Sequence, residues 1–348
     1  MKIARATLAL GLVAAASLGL AIWLNWYGAA PPPAIPGAGE PLIPGAAALT
    51  QAASEIHVRS PKARTTLKLG EQGWGIVEKD GYPAHARKVA ALLEALARAE
   101  KVEPKTDGRA RFPRMGLGSA ATTLSLYDGA GALLFSFDTG LQFPDAASGR
   151  LLTYAFYEGL ERAWTASAFP PLDTDPMFWA ERDVVSISPA RIKRVRVAFG
   201  ESQGVALSRA EADGVLFDAR ELEGRGNVAA VNALAFALQD LETEDVAGAG
   251  TLELFEVASA VFTTFDGLEV TLRFFDSEGV VWTAVAAAYR PGVLEETDTP
   301  NVLPDAPPDG AAEAAALHAR LAGWLFRLPL AKVSAILKTE DALRTDAR

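Results

Sequence analysis

At 348 residues the chain is long enough for two domains and an anchor. Half of its residues are hydrophobic and 22% are charged, so a sizeable core is within reach and global disorder is excluded. A net charge of −10 disfavours sequence-independent nucleic-acid binding, and the absence of cysteine removes disulfides, thiolate metal sites, thiol nucleophiles and a lipid-modified N-terminal cysteine.

The N-terminus carries the clearest signal. Lys2 and Arg5 precede an uncharged run from Ala6 to Leu24, and no charged residue follows before Glu40. As a helix this run spans roughly 28 Å, close to the hydrocarbon thickness of a bilayer. Trp23, Trp26 and Tyr27 stand at its far end, where an interfacial aromatic belt would lie. Residues 1–30 therefore read as a single transmembrane anchor. The positive residues on the leading side put the N-terminus in the cytoplasm and the body in the periplasm of a bacterial inner membrane. A cleaved signal peptide, cut within Ala14–Ser17 or near Ala29–Ala30, is the alternative. Residues 31–50, with Pro31, Pro32, Pro33, Pro36, Pro41 and Pro44, read as an extended stalk.

The body reads as α+β: two tandem modules of antiparallel sheet plus helix, over residues 51–183 and 184–348. In the first, Ile56-His57-Val58, Thr65–Leu69 and Gly73–Val77 predict a three-stranded meander, with His57 pointing away from the core. Val89, Leu92, Leu93 and Leu96 form one apolar stripe, which predicts a helix over 84–99. Thr122–Tyr127 and Leu133–Phe137 flank the turn Asp128-Gly129-Ala130-Gly131 and predict a hairpin. Residues 150–183 read as a link that includes a strand at Leu151–Tyr157.

The same order recurs in the second module. Val195–Val197, Val205–Leu207 and Val215–Phe217 repeat the meander about 139–141 residues on. A helix carrying Val231, Leu234, Ala237 and Leu238 repeats the first at an offset of about 142. The hairpin matches Thr271–Phe275 and Val280–Ala284 about 148 residues on, with Ala260–Phe265 as an extra strand. Glu242–Asp245 reads as a solvated helix end, and the acidic, proline-rich stretch after Tyr289 as a surface loop. A helix at 311–322, a strand at 324–327 and a helix at 330–343 close the chain.

Gly73–Ala84, running into Lys88–Leu93, is similar to the signature of a bacterial domain family of unknown function. The similarity extends through Arg162-Ala163-Trp164, Phe178–Asp183, Phe262–Gly267 and Gly323–Pro329, and so over about residues 50–343. Members of that family are often encoded beside, or fused to, auxiliary subunits resembling those of gliding-motility-type ABC transporters. The resemblance implies an envelope accessory role with permease or auxiliary subunits as partners, and it transfers no catalytic residue.

Gly116-Leu117-Gly118-Ser119-Ala120-Ala121 has the outline of a dinucleotide-binding turn, but strand-like residues follow it where a helix is needed, so it reads as a loop. Asp173-Thr174-Asp175 lacks the oxygen ligands and turn glycine of a calcium loop, and Asp175 before Pro176 reads as a helix start. His57, His85 and His318 are too far apart in sequence to suggest a metal site, and His85 reads as a surface residue. Trp74, Trp164, Trp179, Trp282 and Trp324 read mostly as core packing. No catalytic, cofactor or metal residue is assigned. The resulting expectation is a non-catalytic accessory or scaffolding module of an envelope transporter; the alternative is an envelope hydrolase or ligand-binding protein using dispersed carboxylates and aromatics.

Overall fold

The computed structural model describes residues 16–23, 35–146, 148–167, 169–200, 202–209, 217, 227–291, 307 and 309–344. Residues 16–23 are helical and exposed, and the rest of the expected anchor, with Pro31–Pro33 of the expected stalk, lies outside the described residues. Among the described residues no helix is long and apolar enough to cross a membrane.

Two large antiparallel sheets dominate. Sheet I contains β1 (Glu55–Arg59), β2 (Arg64–Gly70), β3 (Gly73–Ile76), β4 (Tyr82–Pro83), β5 (Lys101–Pro104), β6 (Thr122–Tyr127), β7 (Leu133–Pro144), β8 (Leu151–Phe156) and β9 (Trp164–Ser167). Their order is β4-β3-β2-β1-β6-β7-β8-β9-β5. A short ribbon pairs β10 (Asp183–Val185) with β13 (Leu241–Glu242). Sheet II contains β11 (Ile192–Phe199), β12 (Ser202–Ser208), β14 (Asp245–Gly248), β15 (Phe255–Thr264), β16 (Leu268–Ser277), β17 (Val280–Tyr289) and β18 (Trp324–Arg327). Their order is β12-β11-β15-β16-β17-β18-β14.

Alternation decides which face of each strand is buried. Ile56 and Val58 of β1 and Leu124 and Leu126 of β6 point inward, whereas His57 and Ser125, directly opposite each other across the ladder, share the outer face. In β16, Val270, Leu272 and Phe274 are buried while Arg273 is exposed. Besides the helical residues 16–23, the body carries α1 (Ala46–Ala52), α2 (Ala86–Ala97), α3 (Pro176–Trp179), α4 (Val228–Ala235), α5 (Gly310–Leu321), α6 (Leu330–Ile336) and α7 (Glu340–Leu343). Helix α2 buries Val89, Leu92 and Leu96, and α4 buries Val231 and Leu234, in one core cluster that runs continuously across both sheets.

Where the halves meet, contacts are specific. The Tyr82 ring stands edge-on to Trp324 at 5.0 Å between centroids, and its hydroxyl donates to the Glu181 carbonyl. Lys79 pairs with Asp245, and the Gly248 amide donates to the Asp80 carboxylate.

Several expectations are corrected. Residues 41–50 are not a free stalk: Leu42 and Ile43 are fully buried, α1 packs on α2, and the Leu42 amide donates to the Ala99 carbonyl. Two apolar residues between Pro41 and Pro44 anchor this segment, and the Gly39 and Lys101 amides tie it to the edge strand β5. The segment at 150–183 is more than a link, because β8 and β9 extend sheet I. Glu242–Asp245 forms the ends of two strands instead of a helix end: Thr243 is buried, and its hydroxyl donates to the carbonyls of Asp245 and Arg327. The expected match of 122–127 to 271–275 does not hold in the sheets: β6 lies beside β1, whereas β16, which carries 271–275, lies between β15 and β17 and is not next to β11. The closing helix is broken into α6 and α7. Val215 and Leu216, and residues 292–306 of the acidic loop, lie outside the described residues.

Candidate functional site

The outer face of sheet I carries a groove of about 850 Å³. Its floor is Thr123, Ser125 and Tyr127 of β6 with Ser136 of β7. The β1–β2 hairpin forms one wall, and Gly118 and Ser119 stand at its rim. The sequence accounts for each part. Burial of Ile56 and Val58 obliges His57 and Arg59 to face outward, and burial of Leu124 and Leu126 does the same for Thr123, Ser125 and Tyr127.

The hairpin tip is a fixed structure. The Ser60 amide donates to the Ala63 carbonyl at 2.8 Å, and the Ser60 hydroxyl accepts from the Lys62 and Ala63 amides. This turn presents Lys62 between Arg59 and Arg64, which are cross-strand partners. Like charges directly opposite in an antiparallel pair are unfavourable. Arg64 approaches Glu78 only at 4.0 Å, and Arg59 and Lys62 make no ion pair among the described residues.

Away from the tip the outer face is self-satisfied. His57 Nε2 lies 2.5 Å from Glu55 Oε1, and its ring packs against Tyr127 at 4.5 Å between centroids. The Ser125 and Ser136 hydroxyls bond each other at 2.8 Å, and the Thr123 hydroxyl donates to Asp138 at 2.8 Å.

A smaller pocket of about 340 Å³ adjoins through Ser136 and contains Arg109, Asp138 and Glu158. The Arg109 guanidinium lies 4.1 Å over the Phe156 ring. Beneath it a satellite core of Phe112, Leu117, Phe156 and Ala163 seats the 3₁₀ turns Arg109–Met115 and Gly118–Ala120 on sheet I. The glycine-containing stretch at 116–121, expected to be a loop, thus closes one end of the groove.

The other singled-out residues have structural settings. Asp175 caps α3 through the Met177 amide, and Trp164 and Trp179 are buried. His85 caps the start of α2 only by its backbone and is half-buried. Lys332, in the stretch after Pro329, donates to the carbonyls of Phe236, Ala237 and Gln239 beyond α4, and burial lowers its pKa. Among the described residues no cluster of three or more His, Asp or Glu is arranged to hold a metal ion. The groove's basic residues were not singled out from sequence. Their signal was the alternation of β1, read for His57 alone, together with three cations in the six residues from Arg59 to Arg64.

Comparison with known families gives one match, to a domain of unknown function, DUF4340, over residues 74–259, which is more than half of the chain. The chain belongs to the DUF4340 family. No curated protein and no solved structure matches it. The match runs from Trp74 in β3 to Ser259 in β15, so it straddles both sheets and includes the groove floor and rim, but not the hairpin at 59–64. It brings no enzyme family with it.

Proposed function

We propose that this DUF4340 protein is a non-catalytic, extracytoplasmic accessory module of an ABC-type envelope transporter, held at the inner membrane by residues 1–30. The open polar groove on the outer face of sheet I carries this reading: it is a broad recognition surface with an ordered hairpin at its edge. The charge distribution around Ala6–Leu24 supports an anchor with the body in the periplasm. An anchor raises the module's effective concentration near a membrane-embedded partner. The family resemblance supports permease or auxiliary subunits as that partner.

We also infer that the two sheets are copies of one unit. Reading β3-β2-β1-β6-β7-β8-β9-β5 against β12-β11-β15-β16-β17-β18-β14 pairs the strands one for one after β3, and α2 and α4 occupy the same place in chain order.

The test is affinity purification of the tagged full chain from native membranes, beside a chain lacking residues 1–30. Integral-membrane permease or transporter-auxiliary subunits should copurify, and loss of the segment should weaken their recovery. The hydrolase reading has one observation in its favour, Asp138 and Glu158 beside Arg109 in the small pocket. It wins if the purified protein runs alone and degrades an envelope polymer, with activity abolished by Asp138→Asn or Glu158→Gln.

A further inference from the structure

We propose that the basic end of the sheet I groove binds a phosphate-bearing ligand through Arg59, Lys62 and Arg64. This deepens the reading of that face as a recognition surface and rests on it. All three cations line one wall of a single groove, at a hairpin tip that Ser60 holds in place, in a protein whose net charge is −10. Arg59 and Arg64 stand directly opposite each other with Lys62 between them, a repulsion that an anion bound among the three would relieve.

Among the described residues no carboxylate forms an ion pair with Arg59 or Lys62, and the nearby ones are oriented by other donors. Glu78 accepts the Thr66 amide at 2.8 Å and stands 4.0 Å from Arg64. Glu55 is shared by His57 and Lys68. Asp138 accepts the Thr123 hydroxyl across the sheet, and Asp173 and Asp175, which lie on either side of the Thr174 that touches Ser60, accept the Asp175 and Met177 amides. Of the three cations only Arg64 approaches a carboxylate, Glu78 at 4.0 Å, among the described residues. Three such cations on one wall suit a phosphate monoester, which carries about −1.5 to −2 at neutral pH, better than a single carboxylate. Arg supplies forked donors and Lys a point charge, a combination suited to the several oxygens of phosphate. The groove is far larger than a phosphate ion, so it has room for the molecule that carries the phosphate, with Ser119 at its rim.

The phosphate could sit on a soluble ester or on a lipid headgroup, and the experiment separates these sources. The full chain in non-ionic detergent is titrated calorimetrically with inorganic phosphate, glucose 6-phosphate and glucose. Flotation is measured with phosphatidylcholine vesicles with and without phosphatidic acid. Every measurement is repeated on R59A/R64A and on R98A, which changes an exposed arginine at the C-terminal end of α2, outside the groove.

Glucose should not bind, and at least one phosphate-bearing probe should. Its affinity should fall at least tenfold in R59A/R64A, stay unchanged in R98A, and weaken with added salt. Glucose 6-phosphate binding identifies a soluble ester, and phosphatidic acid-dependent flotation lost in R59A/R64A identifies a headgroup. The thermal midpoint of R59A/R64A should equal or exceed that of the parent, so a loss of binding cannot be blamed on unfolding. The proposal is overturned if no phosphate probe binds better than glucose, or if R59A/R64A binds as the parent does. If those results overturn it, copurification of transporter subunits with the parent chain would still leave the accessory reading standing.

Discussion

Tyr82 brings an ionisable hydroxyl into the seam between the sheets. Burial pushes its pKa up to about 12, with Arg320 opposing the rise and Glu181 and Asp183 adding to it. The unfolded phenol ionises near its ordinary value of about 10. Between these values the folded chain holds a proton that the unfolded chain has lost. The contribution is therefore complete below pH 10 and is lost as the pH rises through about 12, a change of roughly 2–3 kcal/mol. Tyr82→Phe should abolish this part of the alkaline loss and cost about 1 kcal/mol at neutral pH through the hydrogen bond to the Glu181 carbonyl. Urea unfolding of both proteins from pH 8 to 12 measures it; parallel curves would remove Tyr82 as the source. Arg191 is a second charged group in the interior: burial disfavours its charge, yet hydrogen bonds to Glu313 and Asp266 hold its pKa above the usual value. It ties α5 to the β15–β16 turn through two carboxylates.

Elements differ in how much of their structure their own residues disclose. The β1–β2–β3 meander, the apolar stripe of α2 and the Asp128–Gly131 turn were legible because each is local: a period of two, a period near 3.6, and a side chain that accepts the Ala130 and Ala132 amides. Strand β8 is announced by Leu151–Tyr157 and pairs with its neighbour β7, whereas β9 reads as part of a link because its partner β5 lies far away in sequence. Glu242–Asp245 reads as a helix end because the ends of β13 and β14 carry acidic residues there, one of them paired with Lys79, which give no apolar alternation. The groove was half legible: alternation announced His57, but only the folded hairpin brings Arg59, Lys62 and Arg64 to one wall. Its rim depends on Gly140 in β7, where an added Cβ would come 2.0 Å from the Met115 carbonyl oxygen. Gly140→Ala should therefore lift the 3₁₀ turns from sheet I and cost about 1–3 kcal/mol by overpacking. Denaturant midpoints measure the cost, and a weaker affinity for the phosphate probe should accompany it because Ser119 moves with the turn. An alanine variant with unchanged stability would mean that the turn is not seated by this contact.

For the molecule as a whole, length alone argues for two independently folding domains, and two similar strand orders invite the same view. The contacts argue otherwise. Interfaces between separable domains are generally polar and modest, whereas here one apolar cluster includes Leu92 beneath sheet I and Leu234 and Phe274 beneath sheet II. Strand β10, which follows sheet I in the chain, pairs with β13, which precedes β14 of sheet II. Tyr82 packs against Trp324 and Phe326, and Arg320 on α5 donates to the Val184 carbonyl, so both halves complete each other's burial. Separating the halves would expose Tyr82 and Phe326 and leave Lys79 and Asp245 without each other. The body should therefore unfold in a single cooperative transition. Two variants, one retaining Trp179 and the other Trp324 as the sole tryptophan of the body, report on the two halves separately. Their fluorescence midpoints in urea should coincide with each other and with the loss of far-ultraviolet circular dichroism, and the calorimetric and van't Hoff enthalpies should agree. Midpoints that separate, with the Trp324 signal moving first, would mean that each sheet is stable alone and that the seam only docks them.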